Sequence, residues 1–390
     1  MIRPSEPLRK TRRAALALLA AAALAACEPA ALGGGGAGGP AIDPSQPVRV
    51  ALLVPGGGGT DGLLSNNLEN AARLGIARAG GGVDLAVYPT GGTAAGGQAA
   101  AQRAIADGAA AIIGPLYAEA ANAAGVAARP AGINVLAFSN NAAIAGGNVF
   151  VLGQTFENRA ARLLDYGARQ GRGTVVAVTA DTAAGSAAAA AIASAARSTG
   201  ARVADTVRYD FSEAGIDAAA PRVTAAVDAT GADMVLLDAD SAGALPGLAR
   251  ALPAAGVTPG AIQYAGTGRW DIPPATLALP GLEGGWFTLP DQSSTSAFEA
   301  AYAASYGGAP HPLAFTAYDA ATAVTTLVRT GARDALSGRS LTRAQGFAGG
   351  AGAFRLLPDG TNSRSLAVAT ARGGRAVVIE AAPSGFGAGF

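Results

Sequence analysis

From residue 48 onward, short and almost wholly apolar runs alternate with longer alanine-rich stretches, and this alternation restricts the chain to very few architectures. Strands are predicted at 48–54, 83–88, 110–113, 134–138, 174–179, 203–209, 233–237 and 262–265. Helices are predicted near 63–79, 95–107, 117–128, 157–170, 185–199, 216–229 and 242–254. A strand that is apolar along its whole length has no face for water. Helices on both sides must cover it, which is the condition of a parallel sheet built from right-handed strand–helix–strand units. Aromatics make up only 5% of the chain, so its core has to come from many close contacts between small side chains, as layered α/β packing provides.

Eight strand–helix repeats could also close into a single barrel. Two features argue against closure. The segment 148–154 interrupts the rhythm halfway, as a crossing between two lobes would. Beyond residue 350 the pattern changes to short runs at 354–357, 366–370 and 377–379, separated by Asp359-Gly360 and Gly373-Gly374, which reads as antiparallel strands joined by tight turns.

The first residues form a separate unit. Arg9, Lys10, Arg12 and Arg13 precede an apolar run over 14–23 and then Leu24-Ala25-Ala26-Cys27, the layout of a secretory signal. The run is too short to span a bilayer as a stable helix. Leu-Ala-Ala-Cys resembles a bacterial lipobox, and Cys27 is the only cysteine, so residues 1–26 are expected to be removed and Cys27 to carry a lipid. Residues 27–47, with glycines over 33–39 and Pro29, Pro40, Pro44 and Pro47, read as a flexible tether. Removal of 1–26 takes five basic side chains and one acid with it, turning the formal charge of +1 into −3. Nucleic acid is therefore not the expected partner. Lys10 is the only lysine, which removes Schiff-base chemistry and a phosphate-loop lysine from the mature chain.

Further along, an ordered series of phrases resembles a known family. Ile112-Ile113-Gly114-Pro115-Leu116-Tyr117, the stretch VLAFSNN over 135–141, Gly284-Gly285-Trp286-Phe287, the spacing Phe298, Tyr302, Tyr306-Gly307, then Pro312, Ala314 and Tyr318-Asp319-Ala320 are similar to type I periplasmic binding proteins of the leucine/isoleucine/valine-binding kind. Within it, Gly114–Tyr117, Phe138–Asn141, Gly346-Phe347-Ala348-Gly349, Gly352-Ala353-Phe354 and Pro358-Asp359-Gly360 most resemble the lipoproteins called penicillin-binding protein activators. The resemblance implies an α/β fold of two lobes, each a parallel sheet flanked by helices, with hinge crossings and an interlobe cleft at the strand ends. It implies lobe 1 over 48–152 plus about 283–335, and lobe 2 over 153–282 plus about 336–382. It implies a non-enzymatic protein on the periplasmic side of a membrane; the anchor follows from Cys27, and Glu28 beside it, unlike the aspartate that retains some lipoproteins at the inner membrane, gives the outer membrane a slight preference. The implied partners are a small solute (amino acid, peptide or muropeptide), a peptidoglycan synthase or an ABC permease, with transport of branched-chain amino acids as the alternative.

Ligands of such sheets gather outside the carboxyl ends of strands, where helix N-termini offer unpaired N–H groups. Candidate residues in lobe 1 are Thr60 and Asp61 in the glycine-rich loop, Tyr117 and Glu119 after the Gly-Pro turn, and Ser139, Asn140 and Asn141. In lobe 2 they are Asp181 and Thr182, then Asp240 and Ser241 within the 238–241 strand end, and Trp270, which follows Thr267 and would close over a ligand. Several have a structural alternative: complementing a helix dipole for Glu119, shaping a turn for the asparagines of 139–141, capping a helix that starts near residue 242 for Asp240, and surface packing for Trp270. Gly57-x-Gly59-x-x-Gly62 matches a dinucleotide fingerprint in form, but Pro89 and Thr90 stand where its ribose-binding acid is needed. Relatives with an amino-acid pocket place a hydroxyl and an aromatic at positions that correspond to Ala118 and Ala184, departures that favour a cleft that is vestigial or that binds something else. His311 is the only histidine and lies between Pro310 and Pro312. Neither a catalytic triad nor a His/Cys metal cluster can be assembled, so no enzyme activity, cofactor or metal is expected.

Overall fold

A computed structural model describes residues 39–386. Five parallel strands form the first sheet: β1 (Val48–Val54), β2 (Val83–Pro89), β3 (Ala111–Ile113), β4 (Val135–Ala137) and β5 (Val149–Val151), in the order β2-β1-β3-β4-β5. Between them run α1 (Gly59–Arg78), α2 (Ala94–Ala106) and α3 (Ala118–Ala128). The chain then crosses into a second sheet. There α4 (Phe156–Arg169), β6 (Thr174–Ala180), α5 (Ala183–Thr199), β7 (Arg202–Tyr209), α6 (Glu213–Thr230), β8 (Met234–Leu237), α7 (Leu245–Ala254), β9 (Gln263–Gly266) and β10 (Trp286–Pro290) repeat the unit. It returns to the first lobe as α8 (Gln292–Tyr306), α9 (Ala314–Val328) and the short α10 (Gly338–Leu341). It then makes an antiparallel pair, β11 (Phe354–Leu356) and β12 (Asn362–Arg364), and ends in the second sheet as β13 (Leu366–Arg372) and β14 (Arg375–Glu380). The second sheet runs β14-β13-β10-β9-β8-β6-β7, with β13 and β14 antiparallel.

The strands are apolar on both faces because each face meets its own helix layer. In β1, Val50, Leu52 and Val54 join the core shared with α1 and α9, while Ala51 and Leu53 face the alanines of α2 and α3. In β6, Val176 and Val178 face α6 and α7, while Val175 and Ala177 face α4 and α5. The edge strand β7 carries Arg202, Asp205 and Arg208 outward, which discourages pairing with another chain.

Three helices start in one way. Thr93, Thr182 and Ser212 each accept from the N–H three residues on, at Gly96 (3.0 Å), Gly185 (3.1 Å) and Gly215 (3.0 Å). The Ser/Thr side chain is an N-cap, but the usual Glu or Gln of a capping box is replaced by glycine. Space explains it: a Cβ would lie 1.7 Å from the Thr90 carbonyl oxygen at 96, 2.0 Å from that of Ala180 at 185 and 2.4 Å from that of Asp210 at 215. These helices begin pressed against the ends of the strands before them, which brings their N–H groups to the sheet edge where ligands bind. Gly185→Ala is expected to cost about 2–3 kcal/mol, near the upper end for overpacking, read as a lowered urea midpoint. An unfolding free energy within about 0.3 kcal/mol of the parent's would show that α5 shifts freely.

Three crossings join the lobes and are bonded to one another. The Asn362 side-chain amide donates to the carbonyls of Val151 (2.8 Å) and Gly153 (3.0 Å), and Arg364 Nε donates to that of Leu152 (2.8 Å). Asn158 Nδ2 donates to the Asn362 carbonyl at 2.8 Å, and Asp291 N to that of Ala351 at 3.2 Å. Arg364 also reaches Asp319 of α9 at 2.8 Å, and both side chains are almost completely buried.

Several expectations change. The segment 148–154 is not all crossing: its Val-Phe-Val core pairs with β4 as β5, and the chain leaves the sheet only at Leu152. The return to lobe 1 falls at Pro290-Asp291 rather than near 283, because β10 pairs with β9 and β13. Lobe 1 also extends beyond 335, since Leu336, Leu341, Phe347, Phe354 and Leu356 complete its core. Of the expected tether, Ile42 is buried in that core and its N–H donates to the Arg333 carbonyl at 2.9 Å. The expected signal over 1–26 and the lipid site Cys27 lie outside the described residues. No helix among the described residues is long and apolar enough to cross a membrane.

Candidate functional site

The strand order reverses beside β1 in the first sheet and beside β6 in the second, so the carboxyl ends around these strands are where the fold leaves a crevice. On the lobe 1 side, Tyr117 is the N-cap residue of α3 and its hydroxyl donates to Asp61 Oδ1 at 3.3 Å. Burial, together with the Asp61 charge, raises the Tyr117 phenol above its ordinary value. Thr60 and Asp61 stand in the first turn of α1, which begins at Gly59, four residues ahead of its predicted start. Glu119 is exposed in the first turn of α3, where its charge complements the helix dipole.

Ser139, Asn140 and Asn141 follow β4 but are not equivalent. Ser139 is buried and its hydroxyl accepts from Asn141 N at 3.1 Å. Asn141 caps the turn over Ala142–Ile144 by accepting from Ala143 N at 3.0 Å. Asn140 alone of the three keeps an exposed side chain without a hydrogen bond among the described residues. The first crossing packs directly on this end, for a Cβ at Gly153 would lie 2.7 Å from Asn140 N.

In lobe 2, Asp181 pairs with Arg208 at 3.3 Å and Thr182 is occupied in capping α5. Asp240 is exposed at the end of β8. It does not cap a helix, since α7 begins at Leu245 behind Ala244, which makes no side-chain cap. The Ser241 hydroxyl is bonded to the Ile272 carbonyl. Exposed Phe211 and Ile272 flank this loop: the Phe211 ring lies 3.2 Å from where a Cβ at Gly243 would stand.

Trp270 is not a lid. It is fully buried, stacked on Phe287 at 5.7 Å, in a slot that exists because residues 266 and 285 are glycines; a Cβ at 266 would lie 2.3 Å from the indole. The loop position after β9 misled because Trp270 turns back under its own sheet.

Sequence reasoning passed over Arg159, in the first turn of α4. Its guanidinium reaches across the ends of β8 and β9 and donates to the Thr267 carbonyl at 3.1 Å, while Thr267 Oγ1 donates to Asp238 at 2.7 Å. Burial raises the Asp238 carboxyl; Thr267 and Arg159 oppose that shift and Asp240 adds to it. Burial also lowers the Arg159 guanidinium, and Arg269 pushes the same way. Tyr209, buried beside Asp238 and Asp240, is pushed up to about 12. Arg159 stands one helical turn before Leu163 on the inward face of α4, so a charge in an apolar stripe was the available signal.

A separate cavity of about 750 Å³ lies between α4 and the β11–β12 pair, lined by Arg162, Arg169, Asn362 and Glu380 among others. Three of its charges are paired with one another, Glu380 with Arg162 at 2.6 Å and with Arg169 at 2.7 Å. No group of three or more metal-ligating side chains occurs among the described residues.

Residues 47–376 match the family model described as periplasmic binding protein. The chain belongs to that family. Similar solved structures support this periplasmic binding protein's fold. A putative branched-chain amino acid ABC transporter protein from Rhodospirillum rubrum is 21% identical, with a TM-score of 0.69 over 86% of this chain and 100% of the other. An ABC transporter substrate-binding protein from Desulfitobacterium hafniense, in complex with Leu, is 21% identical with a TM-score of 0.60 over 85% and 99%. A solute-binding protein from R. palustris, in complex with benzoate, is 19% identical with a TM-score of 0.52 over 87% and 97%. No curated protein gives a match. This periplasmic binding protein therefore has the expected two-lobed type I fold.

Proposed function

We propose that this protein is a non-enzymatic receptor that closes its lobes over one small amino-acid-like solute and presents it to an ABC permease, held at the membrane through Cys27. The observation that carries the reading is a pair of polar side chains at strand carboxyl ends: Asn140 after β4 in lobe 1 and Asp240 after β8 in lobe 2 are exposed, while Ser139, Thr182 and Ser241 are bonded in place. Asp240 suits an ammonium group, and the N–H groups that begin α3 suit a carboxylate. Closure is a hinge motion about the three crossings, stabilised by contacts to both lobes.

The test is thermal unfolding of residues 28–390 with leucine, glutamate, benzoate, short peptides and muropeptides. A ligand at a hundred times its Kd adds about 2.7 kcal/mol, which for a domain of this size raises Tm by roughly 3–5 °C. The shift is expected to vanish in Asp240→Asn. No shift with any compound would overturn the receptor reading. Regulation of a peptidoglycan synthase would then be favoured, a reading that exposed Phe211 and Ile272 also support as a protein contact.

A further inference from the structure

Three arginines of lobe 2 and its crossings point inward, and two have a carboxylate: Arg162 pairs with Glu380 at 2.6 Å and Arg364 with Asp319 at 2.8 Å. Arg159 forms no ion pair with any described residue. One contact, from Nη1 to the Thr267 carbonyl, uses one of its five N–H donors, and Nε is buried without a partner. Its neighbour Arg269 is already held by Asp271 at 2.6 Å, and Asp238, which accepts from Thr267 at 2.7 Å, attracts Arg159 without forming an ion pair or hydrogen bond with it. Nε is thus a buried donor left without an acceptor, while the rest of this half-buried guanidinium is within reach of solvent and free to meet an entering acceptor. It lies across the ends of β8 and β9, on the face that lobe 1 closes against. A planar fork of this kind matches a carboxylate.

We infer that Arg159 is a ligand-binding residue that receives a carboxylate on the part of the solute entering lobe 2, so that the preferred solute is a dicarboxylate or acidic amino acid rather than an apolar one. The inference rests on the receptor reading above and narrows its ligand class. Asp240 would meet the ammonium of such an amino acid, the N-terminus of α3 its α-carboxylate, and Arg159 its side-chain carboxylate.

The test is calorimetric titration of residues 28–390 and of the variants Arg159→Met and Arg159→Lys with L-glutamate, glutarate and L-leucine. Glutamate or glutarate is expected to bind the parent more tightly than leucine. That binding should weaken at least about thirtyfold in Arg159→Met and by roughly three- to tenfold in Arg159→Lys, which keeps the charge without the fork. Should Arg159→Met fail to fold, the Lys variant decides. Leucine binding without glutamate or glutarate would overturn this inference and leave the receptor reading standing. Glutamate affinity within threefold of the parent in Arg159→Met would overturn it as well. Silence from all three compounds would overturn this inference, and the wider panel above then decides the receptor reading.

Discussion

Replacing Arg364 by methionine alone is expected to remove about 3–5 kcal/mol of stability, the range for breaking a buried ion pair from one side. The Asp319 carboxylate is fully buried and accepts from Arg364 at 2.8 Å and from Gly350 N at 2.7 Å. Burial raises this carboxyl above its ordinary value and Arg364 pulls it down, so without Arg364 the rise is larger. A carboxyl raised in the folded state means that the folded protein holds more protons than the unfolded chain, so stability falls as pH climbs from the unfolded value towards the raised one. The loss in Arg364→Met is therefore expected to be smaller near pH 4 than at pH 8, measured by urea denaturation at both. Arg364 also lies over Phe315 and Phe354, at 5.2 and 5.1 Å, contacts that methionine's chain partly retains. Replacing both partners, as Asp319→Leu with Arg364→Met, is expected to recover most of the deficit. A single variant within 1 kcal/mol of the parent at pH 8 would show that the pair does not hold the crossings.

Trp270→Ala is expected to cost about 3–5 kcal/mol, as the loss of a large buried aromatic does. The indole fills the slot left by Gly266 and Gly285, and Phe287 is stacked on it with planes 28° apart. No small shift of β9 can refill so large a gap, because Gly266 has no side chain to move into it. The decisive comparison is between stability and binding. The variant should melt far below the parent, yet at a temperature where it remains folded its affinity for a cleft ligand should be unchanged within about threefold. A stable variant with lost binding would return Trp270 to the cleft.

The parallel strands were legible because their composition says the same thing on both faces: β1 carries apolar side chains towards two helix layers, so neither alternation nor a partner was needed to see it. β5 and β12 were not. Val-Phe-Val is too short to show a period, and β12 is Asn-Ser-Arg, whose two outer residues are buried and bonded to backbone of a crossing distant in sequence. The same limit governs the site. The exposed position of Asp240 was legible because placement at a strand end is a local property. The fate of Ser139, Asn141 and Thr182, occupied in capping and turns, depends on N–H groups two or three residues away, and the bonding alternatives could be named but not ranked. Arg159 and Trp270 are defined by residues from other strands, Thr267 in one case and Gly266 and Gly285 in the other, and no local pattern announces such meetings.

The order in which the two lobes are assembled along the chain has a consequence for how the protein is made. The first sheet is complete by Val151, but its outer helix layer needs α9, and Arg364 must arrive before Asp319 is neutralised. The second sheet cannot close until β13 slots beside β10. Neither half is a continuous stretch, so a nascent chain stopped anywhere before β13 exposes apolar faces on both. Such long-range closure makes folding wait for the last strands to be made, and a chain that stays open until they emerge is one that can still be threaded through a narrow channel.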